Sequence, residues 1–171
     1  PPWSWYAGDA AATAVFEMQG GTRYVFNGSW CSPGAETSWN GSWRVSAQKG
    51  TALWNGDDEP RFEGEAELHE ITRTCYSGID GALQVFVRAL RTGELPMGEI
   101  HENLLSLAMV EAAVESVRTG RHTMLDDVLE RAYDAALRQE QRADVRAALD
   151  RWTSVRAALA APWARAAPPA G

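Results

Sequence analysis

Hydrophobic and polar residues alternate along much of the first 78 residues, as they do in strands of a sheet with one buried face. Gly20-Gly21 separates two such runs, Ala10–Met18 and Thr22–Cys31, and a glycine pair tolerates the positive φ angles of a tight hairpin turn. Tyr24, Phe26, Gly28 and Trp30 of the second run share one face, and three of these four residues are aromatic. The pattern therefore predicts an antiparallel hairpin with one aromatic face.

A second hairpin is predicted around Lys49-Gly50, from Trp43–Gln48 and Thr51–Gly56. The acidic run Asp57-Asp58-Glu59-Pro60 that follows is typical of a charged turn. Glu65–Arg73 alternates weakly and is predicted to be a fifth strand with one solvated face.

From residue 79 onward the spacing of apolar residues is helical. Leu83, Phe86, Val87 and Leu90 lie at i, i+3, i+4 and i+7. The predicted helices are Asp80–Thr92, His101–Thr119, Asp126–Gln141 and Ala143–Ala160. The second of them has apolar residues beyond one stripe and is expected to be buried on more than one side. The Ala/Pro-rich residues 163–171 predict a frayed tail.

Because strands come first and helices follow, the order predicts an α+β fold: a mostly antiparallel open sheet with helices packed on one face and extra C-terminal helices. The 171 residues are 45% hydrophobic and 23% charged, which is typical of an ordinary globular chain. At this length a hydrophobic core needs neither disulfides nor a metal.

The charge pattern excludes some classes of function. The formal net charge is -7, and Lys49 is the only lysine among sixteen basic residues, so clustered basic groups for nucleic acid are not expected. The abundance of arginine and alanine is typical of a GC-rich bacterial genome. No apolar run approaches the ~18 residues of a membrane span, and the N-terminus has no basic region followed by an apolar one, so we expect a cytoplasmic location and no membrane partner.

Few residues indicate catalysis or metal binding. No GxGxxG, GxxxxGK[ST], GxSxG or HExxH motif is present. His101 is a candidate because it lies at a predicted helix start and imidazole exchanges protons near neutral pH, although a capping role is the simpler interpretation. Cys31 and Cys75 lack metal-ligand spacing and are predicted to be free thiols, and no metal site is predicted.

Six of the eight tryptophans lie within the first 54 residues. Trp30, Trp39, Trp43 and Trp54 fall on or beside neighbouring predicted strands. Two interpretations stay open: a sheet face buried against helices or another subunit, or rings that stack on the faces of a sugar.

Two blocks of sequence carry a resemblance to a known family. Gly81–Leu125 resembles the closing part of the C-terminal domain of the glucose-fructose oxidoreductase / inositol dehydrogenase / MocA-like (Gfo/Idh/MocA-like) family, and Ala10–Trp54 is similar to its sheet. In the first block the matching residues are Gly93-Glu94-Leu95-Pro96, Glu102-Asn103-Leu104, Glu111-Ala112, Ser116 and Gly120. In the second they are Gly20-Gly21, Ser29-Trp30 and Gly50-Thr51-Ala52-Leu53.

The resemblance implies a C-terminal domain over residues 1–125 that lacks its first segment, with a helical extension at residues 126–162. In the family, an N-terminal Rossmann domain binds NAD or NADP and carries a Glu-Lys-Pro motif, and neither is found here. Asp9 is followed by Thr13 where the family has a catalytic-segment histidine, so no catalytic or coenzyme-binding residue is expected in this chain.

The resemblance also implies a function and partners. The chain would be the substrate-binding and oligomerisation domain of an NAD(P)-dependent oxidoreductase acting on a sugar, cyclitol or related polyol, inactive by itself. Candidate substrate-facing residues are Trp39, Arg44 and His101, since a guanidinium donates paired hydrogen bonds to hydroxyls or a carboxylate. Trp30, Trp43 and Trp54 would line a sheet face that joins the subunits of a homo-oligomer. The alternative is a non-enzymatic carbohydrate-binding or dimerisation module.

Overall fold

Strands precede helices in residues 4–64 and 78–160, the parts of the chain that the structure, a computed structural model, describes. The chain divides into two units, Pro1–Arg73 and Thr74–Gly171, each described by itself below. The first contains two antiparallel sheets and the second contains helices, so the α+β class is confirmed. The predicted strand Glu65–Arg73, Cys75 and the predicted frayed tail lie outside the described residues.

The first hairpin forms where the alternation predicts it. Strand β1 (Ala11–Glu17) pairs with β2 (Arg23–Ser29) in antiparallel register. The turn places Gly20 and Gly21 at φ 85° and 83°, a region that side chains with a Cβ rarely occupy. Met18 N–H donates to the Thr22 carbonyl at 2.8 Å and closes the turn.

A three-stranded sheet follows in the order β3-β4-β5. Strands β3 (Trp43–Ala47) and β4 (Gly50–Trp54) form the predicted second hairpin. Strand β5 (Arg61–Gly64) was not predicted, because its four residues follow a charged turn and contain one large apolar side chain, Phe62. Its pairing with β4, from Gly50↔Gly64 to Leu53↔Arg61, produces the strand.

The second unit contains five helices within its described residues. They are α1 (Gly78–Thr92), α2 (Ile100–Thr119), α3 (Leu125–Gln139), α4 (Ala143–Leu149) and α5 (Val155–Ala160). The first three confirm the predicted helices to within two residues at each end. Gly93 and Gly120 follow α1 and α2 with φ of 87° and 66°, so both helices end at the predicted glycines.

The single helix predicted over Ala143–Ala160 is wrong, because the chain leaves the helix between Leu149 and Val155. Trp152 stacks on Tyr133 of α3 with ring centroids 5.8 Å apart, and the Tyr133 hydroxyl donates to the Leu149 carbonyl at 2.9 Å. Ser154 Oγ then accepts from the Ala157 N–H at 3.1 Å and begins a new helix. The tyrosine thus satisfies a carbonyl at the end of α4 and holds the break.

Small and apolar residues join α2, α3 and α5 in one core. Ala108, Leu129 and Val155 are its buried members. Partly buried residues pack around them: Leu105, Leu125, Val128, Tyr133 and Leu159. Because Ala108 has almost no side chain, α3 and α5 lie close to α2, and both share its core.

Other apolar residues of the helices are exposed. In α2 only Ala108 and Ala112 are buried, so the expected burial on more than one side is not found in the described part of the chain. The exposed residues of α1 are Ile79, Leu83, Phe86 and Leu90, and those of α2 include Leu107, Val110, Val114 and Val117. Each set recurs at helical spacing, so each helix carries an apolar stripe open to solvent.

Candidate functional site

A row of aromatic rings crosses four strands of the first unit. Phe16 and Tyr24 are opposite one another in the β1–β2 register, and their rings stack with centroids 5.7 Å apart. Tyr24 stacks on Trp43 of β3 at 6.0 Å with 12° between the ring planes. Trp43 lies opposite Trp54 of β4. Aromatic pairs of this kind contribute about 0.5–1.5 kcal/mol beyond their buried area, so the row stabilises β2 beside β3.

The register places other apolar residues on the same faces as this row. We call this surface the aromatic face and define it by Ala12, Ala14, Phe16, Tyr24, Phe26, Trp43, Val45, Ala52, Trp54 and Phe62. Phe26 covers Gly28, where a Cβ would lie 2.6 Å from the ring. Phe26, Trp43 and Val45 remain 45%, 44% and 57% exposed, so the aromatic face is open to solvent.

A cleft of about 520 Å³ adjoins Trp43 and Trp54 at the end of the three-stranded sheet. Its lining combines indole rings with polar groups and includes Trp43, Leu53, Trp54, Asn55, Asp58 and Arg61. Trp43 Nε1 donates to the Asn40 carbonyl and Trp54 Nε1 to the Asp58 carbonyl, both at 2.7 Å. Because these bonds use the only polar atom of each indole, the rings offer carbon surface to the cleft.

The turn after β4 is held by its own side chains. Asn55 Oδ1 accepts from the N–H groups of Asp57 and Asp58 at 3.1 and 2.9 Å, which is the pattern of an Asx turn. Asn55 Nδ2 donates to Asp58 Oδ2 at 2.7 Å. The acidic run therefore forms the predicted turn, and the Asp58 carboxylate is fixed beside Trp54.

Two loops are tied together behind this turn. Ser38 Oγ donates to Asp57 Oδ1 at 2.8 Å, and Asn40 Nδ2 donates to the Gly56 carbonyl at 2.8 Å. Gly56 is buried at φ 93°, and a Cβ there would lie 2.5 Å from the Gly41 carbonyl oxygen. Only glycine fits this contact, so the loop before β3 and the turn after β4 form one rigid wall.

Neither of the residues predicted as substrate-facing in the first unit lines this cleft. Arg44 is on the face of β3 opposite to that of Trp43. It pairs with Leu53 of β4, and Leu53 pairs on its other side with Arg61 of β5. Trp39 lies in the loop before β3, is 88% exposed, and meets Trp30 edge to face at 5.8 Å. Trp43 and Trp54 are on the sheet face where an interface is predicted.

His101, the third predicted substrate-facing residue, belongs to the helical unit. Its Nδ1 lies 2.6 Å from Glu99 Oε2, and Glu99 precedes α2 and accepts from the Glu102 N–H at 3.1 Å. Asn103 Nδ2 donates to the Gly98 carbonyl. The hydrogen bond from the His101 side chain is the main reason that the pKa of the Glu99 carboxyl is lowered. The geometry is that of an N-terminal cap in which the carboxylate is oriented by the imidazole.

We expect His101→Ala to raise the pKa of Glu99 toward the ordinary value of a glutamate, since the substitution removes the hydrogen bond that lowers it. A lowered carboxyl pKa stabilises the fold above the ordinary pKa, and that contribution is lost as the pH falls through the lowered value. Carboxyl-detected NMR titration of Glu99 measures the shift. His122→Ala, which removes an exposed imidazole elsewhere in this unit, serves as the control; equal titration of Glu99 in both variants would contradict the assignment.

The helical unit has a hollow of about 430 Å³ between the end of α2 and the start of α3. Its lining is almost entirely polar and includes Glu115, Arg121, His122, Asp127 and Arg131. Arg131 pairs with Glu115, and the two carboxylates balance the two guanidiniums. The charges of this hollow therefore favour neither an anion nor a cation.

Asn55, Asp58 and Arg61, three polar residues of the cleft, were not predicted as site residues. The acidic run is predicted to be a solvated turn without a role in binding. Arg61 belongs to β5, the strand that was not predicted. The signal available in the sequence is Trp54-Asn55-Gly56-Asp57 directly after a strand, because asparagine before glycine often builds a side-chain-capped turn.

Among residues 4–64 and 78–160, no three His, Cys, Asp or Glu side chains are grouped so that they would hold a metal ion. Cys31 is a free thiol whose sulfur lies 2.9 Å from Ser4 Oγ. In the same part of the chain, no helix combines the length and the apolar character needed to cross a membrane. Compared with models of known families, with curated proteins and with solved structures, the chain matches none.

Proposed function

We propose that the chain is the C-terminal substrate-binding and oligomerisation domain of an NAD(P)-dependent oxidoreductase of the Gfo/Idh/MocA-like family, acting on a sugar, cyclitol or related polyol. The coenzyme belongs to an N-terminal Rossmann domain, so residues 1–171 alone are not catalytic. When bound by that domain, the nicotinamide would exchange hydride with a carbinol carbon of the substrate, and groups outside this chain would handle the proton.

Five of the positions that carry the resemblance support this proposal because they have a structural task. Gly20, Gly21, Gly93 and Gly120 all adopt positive φ angles that favour glycine. Asn103 bonds the backbone of the segment before α2. These five residues therefore lie in turns and at helix ends, which is compatible with the resemblance.

The open aromatic face is the observation that carries the oligomerisation part of the proposal. Its central residues, Phe26, Trp43 and Val45, are large, apolar and about half exposed. A contiguous apolar surface of this kind is costly in water and is typical of an interface. A second copy of this face would cover it across a two-fold axis, since such an interface pairs one patch with itself.

In this proposal Trp39, Arg44 and His101 remain the candidate substrate-facing groups. Trp39 offers an exposed indole, and Arg44 forms no ion pair within the described part of the chain. A guanidinium without a carboxylate partner is available to donate to hydroxyl groups.

A second candidate function is a non-enzymatic module that binds carbohydrate or dimerises, and the cleft beside Trp43 and Trp54 favours it. The two candidate functions predict different coding sequences upstream of residue 1. Translation of the coding sequence immediately upstream is expected to reveal a strand–GxGxxG–helix unit followed by Glu-Lys-Pro. An upstream region with neither feature would overturn the oxidoreductase proposal and leave the module.

A further inference from the structure

We propose that Asn55 is a site of spontaneous covalent modification, at which the backbone nitrogen of Gly56 attacks the side-chain amide and aspartate or isoaspartate replaces the asparagine. The inference is independent of the proposed function. The sequence contains three Asn-Gly pairs: Asn27-Gly28, Asn40-Gly41 and Asn55-Gly56. A glycine after asparagine favours this reaction, because no side chain hinders the approach of its backbone nitrogen. The structure distinguishes the three pairs by their hydrogen bonds.

The side chain of Asn55 is held close to the nitrogen that would attack it. Asn55 Oδ1 accepts from the N–H groups of Asp57 and Asp58 at 3.1 and 2.9 Å, so the side chain folds over the peptide bond between Asn55 and Gly56. Asn55 Nδ2 donates to Asp58 Oδ2 at 2.7 Å, which fixes the plane of the amide. Reacting groups that are already held together lose little entropy on the way to the transition state.

The same two N–H groups favour the reaction electrostatically. When the amide carbon of Asn55 is attacked, negative charge develops on Oδ1, and donors fixed at such an oxygen stabilise the transition state. The Gly56 N–H forms no hydrogen bond within residues 4–64 and 78–160, so its nitrogen is not engaged elsewhere in that part of the chain. Asn55 is exposed, so water reaches the product of the attack.

The reaction needs water and no other reactant. A bond forms between the Gly56 nitrogen and Asn55 Cγ, the bond from Cγ to Nδ2 breaks, and ammonia leaves with the proton that Gly56 loses. Water then opens the cyclic imide at one of its two carbonyl groups and yields aspartate or isoaspartate. Because the attacking nitrogen must lose its proton, the rate should rise with pH.

The other two Asn-Gly pairs are held in different arrangements. Asn40 Nδ2 donates at 2.8 Å to a carbonyl of the turn after β4, and the Gly41 N–H donates to the Ser38 carbonyl at 2.9 Å. The attacking nitrogen is therefore engaged. Asn27 lies within β2, and its Oδ1 accepts from Thr13 Oγ1 across the hairpin at 2.9 Å. That bond directs the amide toward the neighbouring strand, so both pairs should react more slowly.

The modification would weaken the turn after β4. It replaces the amide that donates to Asp58 with a second carboxylate beside the first, and like charges at this separation repel. Isoaspartate also lengthens the main chain by one carbon at the turn. Because this turn is joined to the loop before β3 through Gly56, the change would loosen the contact between the two loops.

The test is incubation of residues 1–171 in mildly alkaline buffer made with heavy-oxygen water, followed by proteolysis and mass spectrometry. The water that opens the imide leaves a heavy oxygen, so the fragments identify each modified asparagine. In the folded chain Asn55 should react about tenfold faster or more than Asn27 and Asn40, since one preorganised N–H donor alone can be worth that factor. In concentrated urea the three asparagines should react at similar rates, because these hydrogen bonds are lost.

Two variants complete the test. Asn55→Gln should abolish the fast reaction, because the longer side chain must close a larger ring, and Asn27→Gln should leave it unchanged. Equal rates at the three asparagines of the folded chain, or a faster reaction at Asn27 or Asn40, would overturn the inference. The same ranking in urea as in the folded chain would also overturn it, because the selectivity would then come from the local sequence.

Discussion

Val45→Lys is expected to convert a homo-oligomer of this chain into monomers. Val45 lies on the aromatic face, opposite Ala52 of β4, which in turn lies opposite Phe62 of β5. Its side chain is 57% exposed, so a single copy of the chain tolerates a lysine there. In an assembly that covers the face, the ammonium would be buried without a partner, at a cost of about 3 kcal/mol or more. That cost raises the dissociation constant about a hundredfold or more.

Ser46→Lys provides a control for this prediction. Ser46 is the next residue of β3, is also exposed, and lies on the opposite face beside Thr51. Light scattering coupled to size exclusion distinguishes an 18.7 kDa monomer from its multiples. A parent chain that is monomeric at high concentration, or two variants with the same mass as the parent, would contradict an interface on the aromatic face.

Gly56→Ala should destabilise the first unit by about 3 kcal/mol or more. A positive φ alone costs a residue with a Cβ about 1–3 kcal/mol. Here the added Cβ also meets the Gly41 carbonyl oxygen at 2.5 Å and Ser38 Oγ at 2.6 Å. The backbone of one loop must move to relieve the first of these contacts, and the hydrogen bonds that join the two loops move with it.

Gly20→Ala separates the cost of a positive φ from the cost of the steric contacts of the added Cβ. Gly20 has a similar φ, 85° against 93°, and a Cβ there would have no atom within 4 Å. We expect it to lose about 1 kcal/mol, which is the backbone cost alone. Urea unfolding followed by tryptophan fluorescence reports mainly on this unit, since six of the eight tryptophans lie in the first 54 residues. Equal losses in the two variants would show that the loops are not in contact at Gly56.

Local signals in the sequence account for the elements that were predicted. Gly20-Gly21 and Lys49-Gly50 each separate alternating runs, and both hairpins form there. Gly93 and Gly120 mark the ends of helices whose apolar residues recur at helical spacing. In each case the determining interaction is between residues a few positions apart, and a single sequence displays it.

The elements that were missed depend on contacts between distant residues. Apolar residues recur at helical spacing over Val145–Leu159 without a break. Tyr133 nevertheless stacks on Trp152 and donates to the Leu149 carbonyl, and the helix is divided at this point. Strand β5 exists because β4 offers it an edge. The cleft combines residues from the start of β3, the end of β4 and the start of β5, so no single motif identifies it.

Coenzyme-dependent turnover tests most directly the proposal that this chain is the substrate and assembly domain of a polyol oxidoreductase. The product of the full reading frame that encodes residues 1–171 would be assayed for NAD(P)H formation with a panel of sugars and cyclitols, beside residues 1–171 alone. We expect turnover of at least one polyol by the product of the full reading frame and no coenzyme binding by residues 1–171 alone. A full reading-frame product that binds no NAD(P), or binding of NAD(P) by residues 1–171 alone, would contradict the proposal.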